Sequence, residues 1–211
     1  MDCVSEYVVD LRYVLERLPL DEIRAAMSIL QLARLNGRQV LIMGNGGSAA
    51  TASHFACDLG KGTARPGAPR FRVVALTDNL ALLSAYANDV GYEHVFAEQI
   101  ASLARPADVV IGISGSGNSP NVLRGVQVAR SMQATTIGFT GFDGGQLKEL
   151  VDVCVVVPSD CMEQVEDVHL MVEHLICTGL RQTWPAGGQA VARPSAGEAL
   201  RMPAPQPVAH A

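Results

Sequence analysis

Long apolar runs are missing from this 211-residue sequence. None approaches the roughly 20 residues that cross a bilayer, so no membrane partner is expected. Basic charge is also in short supply. Lys and Arg total 16 against 21 Asp and Glu, for a net charge of −5, which argues against a nucleic-acid-binding surface. The five cysteines, Cys3, Cys57, Cys154, Cys161 and Cys177, form no CxxC pair. An odd, scattered set reads as reduced thiols rather than a disulfide frame. The first residues, Met1-Asp2-Cys3-Val4-Ser5-Glu6, carry neither the basic nor the apolar part of a secretory signal. A cytoplasmic protein is therefore expected.

What is present is a hydrophobic share of 48%, enough for one well-filled core. Composition shifts near Gln182. Residues 183–211 hold five of the 11 prolines and few large apolar side chains besides Trp184. Such a segment buries too little to offset its ordering entropy. The expected organisation is one domain over 1–182 followed by a disordered Pro/Ala-rich tail over 183–211.

The body alternates short β-branched runs with amphipathic segments. The runs fall at 40–43, 73–76, 109–113, 136–139 and 153–157. They are continuously apolar, as strands buried on both faces must be, which predicts a parallel sheet covered by helices. Helical periodicity places Ile23, Ala26, Met27, Leu30 and Ala33 on one stripe, Val122, Val126 and Ala129 on another, and Val165, Val168, His169, Val172, Leu175 and Ile176 on a third. Two N-terminal helices followed by βαβ units give an α/β class, a three-layer α/β/α sandwich with a five-stranded parallel, flavodoxin-like sheet. Ligands in such folds bind outside the carboxyl ends of the strands, where two Gly/Ser-rich loops fall.

The second of these loops, Ser114-Gly115-Ser116-Gly117-Asn118-Ser119, runs from a strand into a helix opened by Pro120. Its hydroxyls and the free N–H groups of the helix start suit an anion. It lacks the lysine of a nucleotide P-loop, so a monophosphate fits better than a triphosphate. The first loop, Gly44-Asn45-Gly46-Gly47-Ser48-Ala49, matches the GxGxxA dinucleotide pattern, with Asp78 as a late acidic partner. That leaves a nicotinamide oxidoreductase as one reading. His54 and Asp58, four apart on the following helix, share a face, as two metal ligands require. The run from Glu163 to His174 adds further acidic and imidazole candidates.

Taken together, Gly44-Asn45-Gly46-Gly47-Ser48, His54-Phe55, Ala87-Asn88-Asp89-Val90-Gly91-Tyr92, the loop 113–119 and a last helix with His174 resemble the sugar isomerase (SIS) domain of phosphoheptose isomerases, over about residues 20–181. That family converts sedoheptulose 7-phosphate to D-glycero-D-manno-heptose 7-phosphate, as homotetramers that often hold zinc. The resemblance implies that Ser114, Ser116 and Ser119, with the backbone of Gly115, hold the substrate phosphate. It implies that Asn45, Gly46, Gly47, Ser48, Asn88, Asp89 and Glu166 line the sugar. It makes Asp58 and His174 catalytic, and His54, Asp58, Glu166 and His174 the ligands of a divalent metal, zinc first, with no organic cofactor. The expected partners are a sugar phosphate and other copies of the chain.

The sequence departs from the family pattern at two of those four positions. Asp58 stands where the family has Glu, and Glu166 where it has Gln; the Arg that usually follows falls on Gly62, beside Lys61. These changes keep a second reading open, a non-catalytic SIS module, of the type that associates with the replication initiator, binding a sugar phosphate or a protein partner.

Overall fold

The structure, a computed structural model, describes residues 2–183. The expected tail beyond Thr183, with Trp184 and His210, lies outside the described residues. Two helices, α1 (Cys3–Glu16) and α2 (Leu20–Leu35), precede β1 (Gln39–Gly44) and α3 (Gly47–Cys57). A π-helical turn, Asp58–Gly62, extends α3 before β2 (Arg72–Ala75). Then come α4 (Leu80–Asp89), α5 (Val95–Leu103), β3 (Val109–Ile113), α6 (Pro120–Ser131), β4 (Thr135–Thr140), α7 (Gly145–Leu150), β5 (Val153–Val156) and α8 (Met162–Gln182).

The strands form one parallel sheet in the order β2-β1-β3-β4-β5, the flavodoxin-like order. The uninterrupted apolar runs of β1 and β3 have their explanation here, since both strands feed two cores, while the edge strand β2 leaves Val74 39% exposed. Val40 and Ile42 of β1 join Phe55 of α3, Leu30 of α2 and Val172 of α8 on one face. Leu41 and Met43 join Phe96 and Ile100 of α5, Val126 of α6 and Leu147 of α7 on the other. The chain reverses direction across the sheet between β1 and β3. Gly44 pairs with Ile113 at the end of that ladder, so Asn45 and Ser114 leave the sheet side by side. Both Gly/Ser-rich loops therefore open at the topological switch point, where ligands bind in such folds.

Among the described residues, no helix is long and apolar enough to cross a membrane.

Candidate active site

The loop after β3 gathers three serine hydroxyls beside the start of α6. Ser114, almost fully buried, has its Oγ 3.0 Å from Ser119 Oγ and accepts from the Ser119 N–H at 3.4 Å. Ser119 caps α6 by position, but its side chain makes no capping bond. Its hydroxyl faces Ser114 instead; at the start of α6, Pro120 has no N–H and the Val122 N–H donates to Asn121 Oδ1 at 3.0 Å. Ser116 Oγ accepts from the Asn118 N–H at 3.2 Å. Gly117 turns the chain with φ of +66° and sits so close to the Gly144 carbonyl that a Cβ has no room.

The loop after β1 faces these serines. The Asn45 and Asn121 side-chain amides pair reciprocally at 2.8 and 2.9 Å, and the Tyr92 hydroxyl donates to Asn45 Oδ1 at 2.9 Å. This ties the turn that follows α4 to the switch point. Asn88 and Asp89, exposed at the end of α4, bond each other at 2.8 Å. Gly46 and Gly47 are exposed, whereas Ser48 is buried beneath Gly44. Asp78, the acidic residue of the dinucleotide pattern, accepts from the Ser53 hydroxyl of α3.

The helices α3 and α8 pack side by side and bring distant residues to one point. His54 Nε2 and His174 Nε2 are 3.2 Å apart. Asp58 Oδ2 lies 3.9 Å from the first and 3.8 Å from the second. Asp58 stands where the α-helix passes into its π turn, a distortion that re-aims side chains. A fourth group, which the sequence reading did not single out, completes the cluster. Glu173 Oε1 lies 3.1 Å from His174 Nε2 and 3.5 Å from His54 Nε2. Ligand atoms of His54, Asp58, Glu173 and His174 all fall within 4.8 Å of one another.

Glu173 is fully buried. Burial, followed by the facing Asp58 carboxylate, pushes its carboxyl up to about 8. The signal that locates it is visible in the sequence. Position 173 lies four after His169 and three before Ile176 on the buried stripe of α8, where an acidic residue is out of place unless paired.

Glu166, expected in the same set, does not share this point. Its carboxylate lies over Gly47 at the start of α3, where a Cβ on residue 47 would come within 2.4 Å of Oε2. The two helices explain why. Glu166 precedes Glu173, and Gly47 precedes His54, by seven residues, about two turns or roughly 10 Å along each axis. Glu166 thus meets the N-terminal end of α3, where backbone N–H groups favour a negative charge, while Glu173 meets His54 two turns on.

The residues of the cluster fit a divalent cation. Two neutral imidazoles and two carboxylates balance its charge, and imidazole with carboxylate suits zinc.

The chain matches the family model "SIS domain" over residues 6–141. It is 47% identical to the phosphoheptose isomerase of Aliarcobacter butzleri over 144 residues, 67% of this chain and 75% of that one. It is 44% identical to the phosphoheptose isomerase of Trichlorobacter lovleyi over 148 residues, 69% of this chain and 74% of that one. The solved phosphoheptose isomerase GmhA of Neisseria gonorrhoeae superposes with a TM-score of 0.79 at 31% identity, covering 85% of this chain and 97% of that one.

Proposed function

The chain belongs to the SIS-domain family and, within it, to the phosphoheptose isomerases, and from that membership we propose that it interconverts sedoheptulose 7-phosphate and D-glycero-D-manno-heptose 7-phosphate. The observation that carries the reading is the convergence of His54, Asp58 and His174 on the helices flanking the serine-rich loop.

In this reading the hydroxyls of Ser114, Ser116 and Ser119 and the Gly115 backbone hold the phosphate at the start of α6. Asn45, Gly46, Gly47, Ser48, Asn88, Asp89 and Glu166 define the wall around the sugar. A ketose becomes an aldose when a proton leaves C1 and one is returned to C2, while a hydroxyl proton moves from O1 to O2. Asp58 turns Oδ2 to the imidazoles, which leaves Oδ1 to take the proton from C1 and return it at C2. His174 is the acid partner that moves the proton between O1 and O2. A divalent cation, zinc in this proposal, held by His54, Asp58 and His174 with an acidic residue of α8, supplies Lewis-acid stabilisation of the charge developing on O1 and O2. The chemistry needs no organic cofactor.

We further propose that the enzyme works in the cytoplasm as a homotetramer. The free cysteines support a reducing compartment. Exposed apolar side chains such as Val4, Val8 and Leu80, at 69%, 62% and 76%, support burial against other copies. Light scattering at micromolar concentration should give four times the chain mass, and a monomeric mass would refute the tetramer.

The experiment for the activity is an isomerisation assay on a panel of ketose phosphates, with and without chelator. Turnover of sedoheptulose 7-phosphate that falls on chelation and returns with zinc is the expected result. No turnover of any ketose phosphate by the metal-loaded protein would overturn the reading.

A further inference from the structure

The Glu173 carboxylate is in a position that its protein neighbours do not explain. It is fully buried, and its Oε1 has no hydrogen-bond partner. Its other oxygen, Oε2, faces the Cys177 thiol at 3.9 Å. Oε1 instead looks directly at two imidazole nitrogens, at 3.1 and 3.5 Å, which are themselves 3.2 Å apart. Leaving a buried carboxylate oxygen unpaired is costly. One proton placed among these atoms satisfies a single pair of them and leaves the remaining lone pairs facing each other.

A cation satisfies all of them at once. Four ligand atoms about 2.0–2.1 Å from a tetrahedral zinc lie roughly 3.3 Å from one another. The distances among His54 Nε2, His174 Nε2, Asp58 Oδ2 and Glu173 Oε1 run from 3.1 to 3.9 Å wherever an imidazole is one partner. The carboxylate pair stays within 4.8 Å.

We propose that Glu173, and not Glu166, is the acidic residue of α8 that binds the divalent cation, completing a two-histidine, two-carboxylate site with His54, Asp58 and His174. Asp58 is one methylene shorter than the glutamate the family places there, and Glu173 brings a second carboxylate to the same point from the opposite helix. Glu166, two turns away over Gly47, faces the sugar side of the site. The inference rests on the reading that this site holds a cation, and not on which sugar is turned over.

The test is metal affinity on the full chain. Chelator-stripped protein is titrated with Zn²⁺ against a chromophoric competitor, and with Co²⁺ followed by visible absorption. The parent and Glu166→Gln should bind one ion per chain with Kd values within threefold of each other. Glu173→Gln should weaken binding at least ~100-fold, more than loss of an outer-shell group does, and should abolish the intense absorption of four-coordinate Co²⁺. Glu173→Asp keeps the charge and guards against a folding defect in Glu173→Gln; it should bind at least ~10-fold more weakly than the parent. Parent-like affinity in both Glu173 variants, or a loss confined to Glu166→Gln, overturns the assignment while leaving the cation site standing. A parent chain that binds neither ion overturns the cation site itself, and the assignment with it.

Discussion

His54 and His174 present their Nε2 atoms to each other at 3.2 Å across 120 positions of sequence, with the rings edge-on. At that distance one imidazole nitrogen donates a proton to the other, or both turn their lone pairs to one cation. Every group around them, Asp58 and Glu173 alike, is an oxygen able to share it too. The pair therefore marks the chemical centre of the site, and the substitutions below are chosen by their distance from it.

Asp58→Asn should lower kcat by at least ~100-fold, the usual contribution of a general base, with a smaller change in KM. Asp58→Glu restores the family's side chain. Because a misplacement of about 1 Å costs on the order of 100-fold, its turnover reports whether reach or charge matters here, and it is expected to stay within ~10-fold of the parent. Steady-state assays on both variants decide the point. Full activity in Asp58→Asn would remove the base.

Ser116→Ala and Ser119→Ala should each weaken sugar-phosphate binding by ~1.5–3 kcal/mol, the worth of a hydrogen bond to a charged group. That is roughly 10- to 150-fold in Kd. Neither should unfold the chain, because both residues are only half-buried. Calorimetric titration with a sugar phosphate reads the loss. Unchanged affinity in both variants would place the phosphate elsewhere.

His169 makes the stability of the fold depend on acid. It lies fully buried against Phe139, and its Nε2–H donates to the Thr140 carbonyl at 3.2 Å. Burial holds the imidazole down at about 4, against 6.5 for the free group. The unfolded chain then binds more protons than the folded one between those values. Stability is complete above pH 6.5 and falls as the pH drops towards 4, by an amount on the order of 3 kcal/mol. Denaturant midpoints measured from pH 7 to 4 should show this slope, and His169→Gln should flatten it. An unchanged slope in His169→Gln would assign the acid sensitivity to other groups.

Arg34 anchors the segment that follows the π turn carrying Asp58. Its side chain is buried. Nε donates to Pro69 O at 2.7 Å, Nη2 donates to Thr63 O at 3.2 Å, and the guanidinium lies over the Phe71 ring. Arg34→Met should destabilise the chain by about 2–4 kcal/mol, since two carbonyls lose their donor. Arg34→Lys should not restore it, because a single ammonium does not reproduce the fork. Urea unfolding compares the three chains, and parent-like stability in Arg34→Lys would show that charge alone suffices there.

Much of this molecule is legible along the chain. Five continuously apolar, β-branched runs point to a parallel sheet covered on both faces, since that is the pattern of strands buried on both sides, although the edge strand β2 leaves Val74 39% exposed. Gly-Ser loops at their carboxyl ends fall where ligands bind in folds of this kind. The i,i+4 spacing of His54 and Asp58 puts both on one helical face. What periodicity does not contain is the axial offset between two packed helices. A stripe of buried residues says which face of α8 turns inward and says nothing of which turn of α3 it meets. That offset comes from side chains interlocking across the interface. Gly179 lets the Met27 thioether of α2 lie against α8, and Gly47 leaves room for Glu166. Only the packed structure therefore decides that Glu166 falls at the start of α3 and that Glu173, a charge on a stripe that otherwise reads as core, arrives between the two histidines.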